Sequence, residues 1–131
     1  MMCAMTAGLV KRILVVDDDI DLLMLLERCL SKEGYEVETA ASLAEADEII
    51  CSFSPHLVLL DINVHGEDGR QLCFKLKKSA QVPPVKVVVM SGFDMDIRRA
   101  VLFGADELVA KPFPQEYLLN RLSAHLFAEV S

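Results

Sequence analysis

The sequence has few basic residues. Its 13 Lys and Arg are outnumbered by 20 Asp and Glu, which gives a formal net charge of -7 and a sequence pI near 4.9. Attachment to nucleic acid or to anionic lipid depends on clustered Lys and Arg. We therefore expect no direct nucleic acid binding by this chain and no association with a membrane surface.

Long apolar runs are also missing. A membrane span needs roughly 20 mainly apolar residues, whereas the apolar runs here are short and interrupted. Residues 1–10 lack the positive charge and long apolar stretch of a secretory signal, so we expect a disordered or loosely ordered leader. These absences predict a cytoplasmic protein.

The cysteines follow no metal or redox spacing. They are Cys3, Cys29, Cys51 and Cys73. None belongs to a CxxC pair, and no histidines stand at ligand intervals, so zinc and redox motifs are unsupported. Buried or idle cytosolic thiols are the expected state.

What the sequence does contain is enough apolar material for one core. With 131 residues and 53% hydrophobic content, the chain is too short for two ordinary domains. We expect one domain over residues 11–128, followed by a short tail at 129–131.

Short apolar runs alternate with stretches of helical period along the whole chain. This alternation is typical of repeated βα units joined by right-handed crossovers, and it predicts an α/β fold with a parallel sheet. Strands are predicted near 12–16, 35–39, 57–60, 85–90 and 107–110. Helices are predicted at about 20–32, from Ser42 to before Pro55, after a turn marked by Gly66 and Gly69 as far as Lys78, from Asp94 to about Phe103, and from Pro114 toward Phe127.

Charged side chains stand just after three of the apolar runs. Asp17 and Asp18 follow the first predicted strand, Asp61 follows the third, and Lys111 follows the fifth. In an open parallel sheet, residues beyond the carboxyl ends of the strands converge even when they are far apart in sequence. The pattern therefore predicts one phosphate-handling pocket.

The clustered carboxylates favour a hard divalent cation. Two carboxylates about 4 Å apart repel by roughly 4 kcal/mol at an effective dielectric of 20, a cost that a bound cation relieves. Magnesium prefers oxygen ligands and often bridges carboxylates to a phosphoryl group. We expect Mg²⁺ beside Asp17, Asp18 and Asp61.

Asp61 is the candidate nucleophile of this pocket. A carboxylate can accept a phosphoryl group as an aspartyl phosphate when the incoming negative charge is compensated. Lys111 would contact the phosphoryl oxygens, and the hydroxyl of Ser91 would donate a hydrogen bond to them. Gly92 leaves room for the group.

These residues lie in segments that resemble the receiver domain of bacterial two-component response regulators. The segments are ILVVDDD at 13–19, LVLLDIN at 57–63, GEDG at 66–69, VVVMSG at 87–92, GAD at 104–106 and KPF at 111–113. The resemblance covers about Arg12 to Phe127. It implies a flavodoxin-like, doubly wound five-stranded parallel sheet of order 2-1-3-4-5, flanked by five helices.

The resemblance also implies site roles and partners. Asp61 would accept a phosphoryl group from a histidine kinase or a histidine phosphotransfer protein. Asp18, Asp61 and the main-chain carbonyl of Asn63 would hold Mg²⁺, with Asp17 acting through water. The chain would be a signalling domain that assists its own phosphorylation and dephosphorylation, not an enzyme. A downstream effector or a second copy would bind the fourth helix, fifth strand and fifth helix.

Three positions depart from the receiver pattern. His56 replaces the acidic residue often seen before the third strand, and we expect this change to affect only a cap or a surface contact. His65, four residues after Asp61, stands where the family usually has proline, which predicts a less rigid loop after the phosphorylation site. Leu108, three residues before Lys111, stands where many receivers carry a Tyr or Phe that swings inward on phosphorylation. Leu108 can repack, but it provides neither the ring nor the phenol hydroxyl.

Other classes fit the residues less well. A haloacid-dehalogenase-like phosphatase would need a second aspartate where this chain has Asn63. A flavodoxin-like cofactor carrier would need a phosphate loop where Asp17, Asp18 and Asp19 stand. A receiver-like interaction module that works without phosphorylation remains the alternative. The retained acidic, hydroxyl and lysine set favours the phosphoacceptor.

Overall fold

The computed structural model describes residues 10–78, 85–92 and 104–127. The strands of the main sheet are β1 (Arg12–Val16), β2 (Glu36–Ala40), β3 (Leu57–Asp61), β4 (Lys86–Ser91) and β5 (Glu107–Ala110). The helices are α1 (Ile20–Lys32), α2 (Leu43–Phe53), α3 (Arg70–Lys78) and α4 (Gln115–Leu126). The helix predicted from Asp94 to Phe103 lies outside the described residues.

The five strands form one parallel sheet in the order β2-β1-β3-β4-β5. This is the predicted order of a doubly wound α/β fold, and the prediction is confirmed. Three strands differ from expectation by one residue, since β2 and β4 are shifted by one position toward the C-terminus and β3 ends at Asp61. No helix in the described ranges is long and apolar enough to cross a membrane.

The sheet separates two apolar layers, and neighbouring residues of a strand face opposite layers. In β1, Ile13 and Val15 pack with α1 and α4, whereas Leu14 and Val16 pack with α2 and α3. All five residues of β3 are buried. Burying an aliphatic side chain stabilises the fold by about 1.5–3 kcal/mol. Packing of apolar side chains on both faces of the sheet therefore fixes the positions of the strand ends.

Local signals fix the helix ends as the sequence predicts. The Asp19 side chain caps α1 by accepting from the Leu22 N–H, and Ser42 caps α2 by accepting from the Glu45 N–H. The Glu45 side chain accepts in return from the Ala41 N–H, one residue before the Ser42 N–H that a capping box would use. Gly34, just after α1, has φ +98°, a left-handed conformation that suits glycine.

The segment after β3, where the sequence predicts a turn marked by Gly66 and Gly69, forms a small hairpin. Residues Asn63–Val64 pair antiparallel with Glu67–Asp68. The two residues between them, His65 and Gly66, have φ values of +53° and +79°. Positive φ at both positions is the signature of a type I′ turn, whose twist matches that of paired strands. We call residues 63–68 the hairpin.

Candidate functional site

The carboxyl ends of four strands bring the predicted site residues to one edge of the sheet. Asp17 directly follows β1, and Asp61 is the last residue of β3. Asp61 pairs in register with Met90, so Ser91 lies one residue further along the neighbouring strand. Ser91 in turn pairs with Ala110, the residue before Lys111.

Three carboxylates meet at this edge. Asp17, Asp18 and Asp61 each offer one oxygen, and these oxygens lie within 4.8 Å of one another. Asp17 is fully buried and Asp61 is 8% exposed, whereas the Asp18 side chain is 35% exposed. The cluster thus has two buried carboxylates and one that reaches solvent.

Lys111 is the cation that contacts this cluster. Its Nζ lies 2.7 Å from Asp17 Oδ2 and 3.6 Å from Asp61 Oδ2. Burial alone would lower the pKa of Lys111, but the hydrogen bond to Asp17 and the charge of Asp61 outweigh it and raise the pKa. The ammonium group therefore stays charged beside both carboxylates.

Asp61 is an electrostatically strained carboxyl group. Burial, followed by the negative charge of Asp17, raises its pKa from 3.8 to about 6. Lys111 and a hydrogen bond from the Asn63 main chain act in the opposite direction but do not cancel this rise. Added positive charge nearby would stabilise the ionised form of this carboxyl group. The same positive charge is what a nucleophile needs when it accepts an anionic phosphoryl group.

Asp18 has a different environment. Its Oδ2 accepts a hydrogen bond of 2.8 Å from the His65 main-chain N–H, at the turn of the hairpin. This bond is the main reason that the pKa of Asp18 is lowered. The His65 imidazole Nδ1 lies 3.9 Å from the same oxygen, and its side chain is 62% exposed. Asp18 is therefore ionised and oriented by the hairpin.

Ser91 is buried at the same edge of the sheet. Its hydroxyl donates to the Gly92 carbonyl oxygen over 3.1 Å, and its own carbonyl accepts from the Lys111 N–H over 2.6 Å. A Cβ atom built at Gly92 would meet no atom of the described residues within 4 Å. Within the described part of the chain, there is therefore room at Gly92 beside Ser91, as expected for a position next to an incoming group.

Gly69 closes the hairpin against the end of β3. Its N–H donates to the Ile62 carbonyl oxygen. A Cβ atom at this position would collide with the carbonyl oxygen of Asp61. The backbone of the hairpin and that of the candidate nucleophile are therefore in direct contact, which only glycine permits.

The donor set fits Mg²⁺. The carboxylates of Asp17, Asp18 and Asp61 supply only oxygen, the ligand atom that hard divalent cations prefer. Among the lysines and arginines that the structure describes, only Lys111 contacts them, which leaves three carboxylates facing one ammonium group. Burial and then the negative charge of Asp17 raise the pKa of Asp61. The acidic pocket is compatible with Mg²⁺ and with an aspartyl phosphate.

Sequence reasoning missed two contacts of the site. The ion pair between Lys111 and Asp17 joins residues 94 positions apart, and the bond from His65 to Asp18 joins residues 47 apart. The only sequence signal for the second was the missing proline at position 65, which leaves a main-chain N–H available as a donor.

A pocket of about 310 Å³ opens beside Lys111. One wall is α1, through Leu22, Leu25 and Cys29, and the other includes Pro112 and Phe113 after β5. On the same helix, Ile20, Met24 and Leu25 are 54%, 59% and 56% exposed. Of these three exposed apolar side chains, Leu25 also lines the pocket beside Lys111.

Comparison with known proteins agrees with this geometry. The family model described as "Response regulator receiver domain" matches residues 13–123. The receiver domain of NtrX from Brucella abortus is 35% identical, with 89% of this chain and 99% of that chain covered and a TM-score of 0.80. A response regulator signal receiver domain from Bermanella marisrubri is 33% identical, with 89% and 98% covered and a TM-score of 0.81.

A third similar structure is the BeF3-activated N-terminal receiver domain of RstA from Klebsiella pneumoniae. It is 32% identical, with 88% of this chain and 97% of that chain covered and a TM-score of 0.80. The chain belongs to the response regulator receiver domain family of two-component signalling.

Proposed function

We propose that this chain is the phosphoacceptor of a two-component phosphorelay and that Asp61 takes the phosphoryl group. The donor is the phosphohistidine of a histidine kinase or of a histidine phosphotransfer protein. A carboxylate oxygen of Asp61 attacks phosphorus, a P–O bond forms as the P–N bond breaks, and the donor imidazole leaves with the electron pair. The chain assists this step and the later hydrolysis, and it acts as a signalling domain, not as a turnover enzyme.

The observation that carries this proposal is the placement of Lys111 between two carboxylates. Its Nζ lies 2.7 Å from Asp17 and 3.6 Å from Asp61. An ammonium group has three donors, so Lys111 can keep its bond to Asp17 and still contact a phosphoryl oxygen on Asp61. The hydroxyl of Ser91, now donating to Gly92, can rotate toward the same group.

The metal ligands of this proposal are Asp18, Asp61 and the main-chain carbonyl of Asn63. Asp17 would act through water, because its two oxygens already accept from the Asp19 N–H and from Lys111. Bound there, Mg²⁺ would supply positive charge to the carboxylates and to a phosphoryl oxygen. The lowered pKa of Asp18 keeps that ligand deprotonated.

The apolar surface of α1 is the proposed docking site of the phosphohistidine donor. The exposed side chains Ile20, Met24 and Leu25 lie on the helix that also lines the pocket beside Lys111. A donor protein must bring its histidine to Asp61, and a surface next to the site allows this. Burial of these side chains would supply part of the binding free energy.

The proposed output face comprises the predicted fourth helix, β5 and α4. Within the described part, Glu107 of β5 accepts from Arg121 over 2.7 Å and lies 2.6 Å from the His125 ring, both on α4. Leu108 packs partly buried against the α2 and α3 layer. A downstream effector or a second copy would bind this face when the added phosphoryl charge shifts its conformation. We place these events in the cytoplasm.

Intact mass after incubation with a small acyl-phosphate donor tests the proposal. We expect the wild type to gain one phosphoryl group with Mg²⁺ and none with excess chelator, while Asp61→Asn gains none in either condition. Circular dichroism must show that both proteins are folded. If the folded wild type gains no mass with Mg²⁺, a phosphorylation-independent interaction module becomes the better interpretation.

A further inference from the structure

We propose that His65 is a positioning residue for the metal site and that it acts through its main-chain N–H. The hairpin would hold the ligand Asp18 at its turn while carrying the ligand Asn63 in its first strand. This inference rests on the proposed function, because it concerns how the predicted Mg²⁺ ligands are oriented.

The contact itself is well defined. The His65 nitrogen lies 2.8 Å from Asp18 Oδ2. The imidazole lies further away, at 3.9 Å, and its side chain is 62% exposed. A hydrogen bond from a main-chain N–H to a carboxylate is directional and fixes the orientation of the acceptor. The backbone of residue 65, not its ring, is therefore the group that positions Asp18.

The backbone conformation at this position explains why proline cannot do the same. His65 has φ +53° and occupies the first place of a two-residue turn. Proline is restricted to φ near -65° and has no N–H. A receiver with the usual proline at this position therefore cannot make this bond to its equivalent of Asp18. The contact is a consequence of the departure at position 65.

The remaining contacts of the hairpin connect this turn to the nucleophile. The Asn63 main chain acts on the Asp61 carboxyl group, whose pKa it lowers, and the Gly69 N–H donates to the Ile62 carbonyl oxygen. At the far end, the Asp68 carboxylate accepts from the Arg70 N–H and guanidinium, at the start of α3. One short segment thus links Asp61, Asn63 and Asp18, and moving its turn would disturb the whole ligand set.

The test compares Mg²⁺ affinity in His65→Pro and His65→Gly by isothermal titration calorimetry. His65→Pro removes the donor and the positive φ, and loss of a contact that orients a ligand typically weakens metal binding by about tenfold or more. His65→Gly removes the ring but keeps the N–H and tolerates the φ, so its affinity should stay within about twofold of wild type. Equal affinities in all three proteins would overturn the proposal. An equal loss in both variants would assign the effect to the imidazole and would also overturn it.

A second measurement needs no metal. Amide hydrogen exchange at His65 should be slow in the wild type and at least about tenfold faster in Asp18→Ala, because the acceptor is gone. The Gly69 amide is the matched control, since its acceptor is the Ile62 carbonyl oxygen, and its exchange should not change. Unchanged exchange at the His65 amide in Asp18→Ala would contradict the positioning role. If the wild type binds no Mg²⁺ while the exchange result holds, the proposed function fails and the contact between hairpin and Asp18 stands.

Discussion

Lys111 makes its shorter ion pair with Asp17, at 2.7 Å, and not with Asp61, the candidate nucleophile, at 3.6 Å. Asp17 is fully buried, so it has the greater need for a partner. Lys111 therefore contributes to the stability of the fold as well as to the chemistry of the site. It neutralises a fully buried carboxylate, and it stays within reach of the group that Asp61 would carry.

The first prediction concerns Lys111→Met. Removing one partner of a buried ion pair leaves the other charge uncompensated, so we expect the free energy of unfolding to fall by about 3 kcal/mol. Urea denaturation in chelator measures this. Lys75→Met is the control, because Lys75 and Asp47 form an exposed pair of 3.1 Å, and its effect should stay below about 1 kcal/mol.

A double mutant cycle makes the assignment specific. If Asp17 is the residue that Lys111 neutralises, the variant Asp17→Asn should reduce the loss caused by Lys111→Met, giving a coupling energy of about 1–3 kcal/mol. Additive effects of the two substitutions would contradict this account of the pair.

The second prediction concerns the pH dependence of stability. The pKa of Asp61 is raised to about 6 in the folded protein from an ordinary 3.8, so between these values the folded state binds more protons than the unfolded state. Stability should therefore fall as pH rises from about 4 to about 6 and then level off. At neutral pH this titration lowers the free energy of unfolding by up to about 3 kcal/mol, since one pKa unit corresponds to about 1.4 kcal/mol.

Asp61→Asn removes this titration while keeping the size of the side chain. We expect the variant to be more stable than the wild type at pH 7 in chelator and to lose this pH-dependent slope. Urea unfolding of both proteins at a series of pH values measures it. The prediction is wrong if, over this pH range, the free energy of unfolding of the wild type rises relative to that of Asp61→Asn.

The fold could be predicted because its signals are local. A strand such as β3 is recognised as a short apolar run. Ser42 and Glu45 mark the start of α2 within four residues. The site residues Asp17, Asp61 and Lys111 could be placed at one edge because parallel strands share a direction. This placement needed only the shared direction of the strands, whereas the strand order came from the resemblance to receiver domains.

The finer contacts could not be predicted because they depend on side-chain and loop conformation. The two-residue strands of the hairpin are too short to show a periodic pattern. The turn at His65 and Gly66 lacks the usual Asn-Gly or Asp-Gly signal. Burial of Asp17 explains why Lys111 pairs more closely with it than with Asp61. The spacing of residues in the sequence does not reveal burial.

The third prediction concerns Gly69→Ala. The added methyl group would collide with the Asp61 carbonyl oxygen, and overpacking of this kind costs about 1–3 kcal/mol. We expect a loss of stability in that range by urea denaturation, together with slower phosphorylation of Asp61 by a small donor. Gly92→Ala is the matched control for stability, since its new Cβ would meet no atom of the described residues within 4 Å. Equal stability of the two variants would contradict the predicted backbone contact.

The fourth prediction separates donor docking from chemistry through Leu25→Glu. Leu25 is 56% exposed on α1 beside the pocket that Lys111 lines, so a charge there should disrupt an apolar contact with a donor protein without touching Asp61. With a phosphorylated histidine kinase that phosphorylates the wild type, we expect the transfer rate at subsaturating concentration to fall by about tenfold, the effect of losing one important interface side chain. With a small acyl-phosphate donor, the rate should stay unchanged.

Phe74→Glu provides the matched control for this experiment. Phe74 is 51% exposed but belongs to α3, which packs on the opposite face of the sheet from α1. Its substitution introduces the same charge at a similarly exposed apolar position, so it should leave both rates near the wild-type values. If Leu25→Glu slows the small donor as much as the kinase, the substitution acts on the site itself. If it slows neither, the donor binds elsewhere, because an apolar docking surface could not accept the charge without loss of affinity.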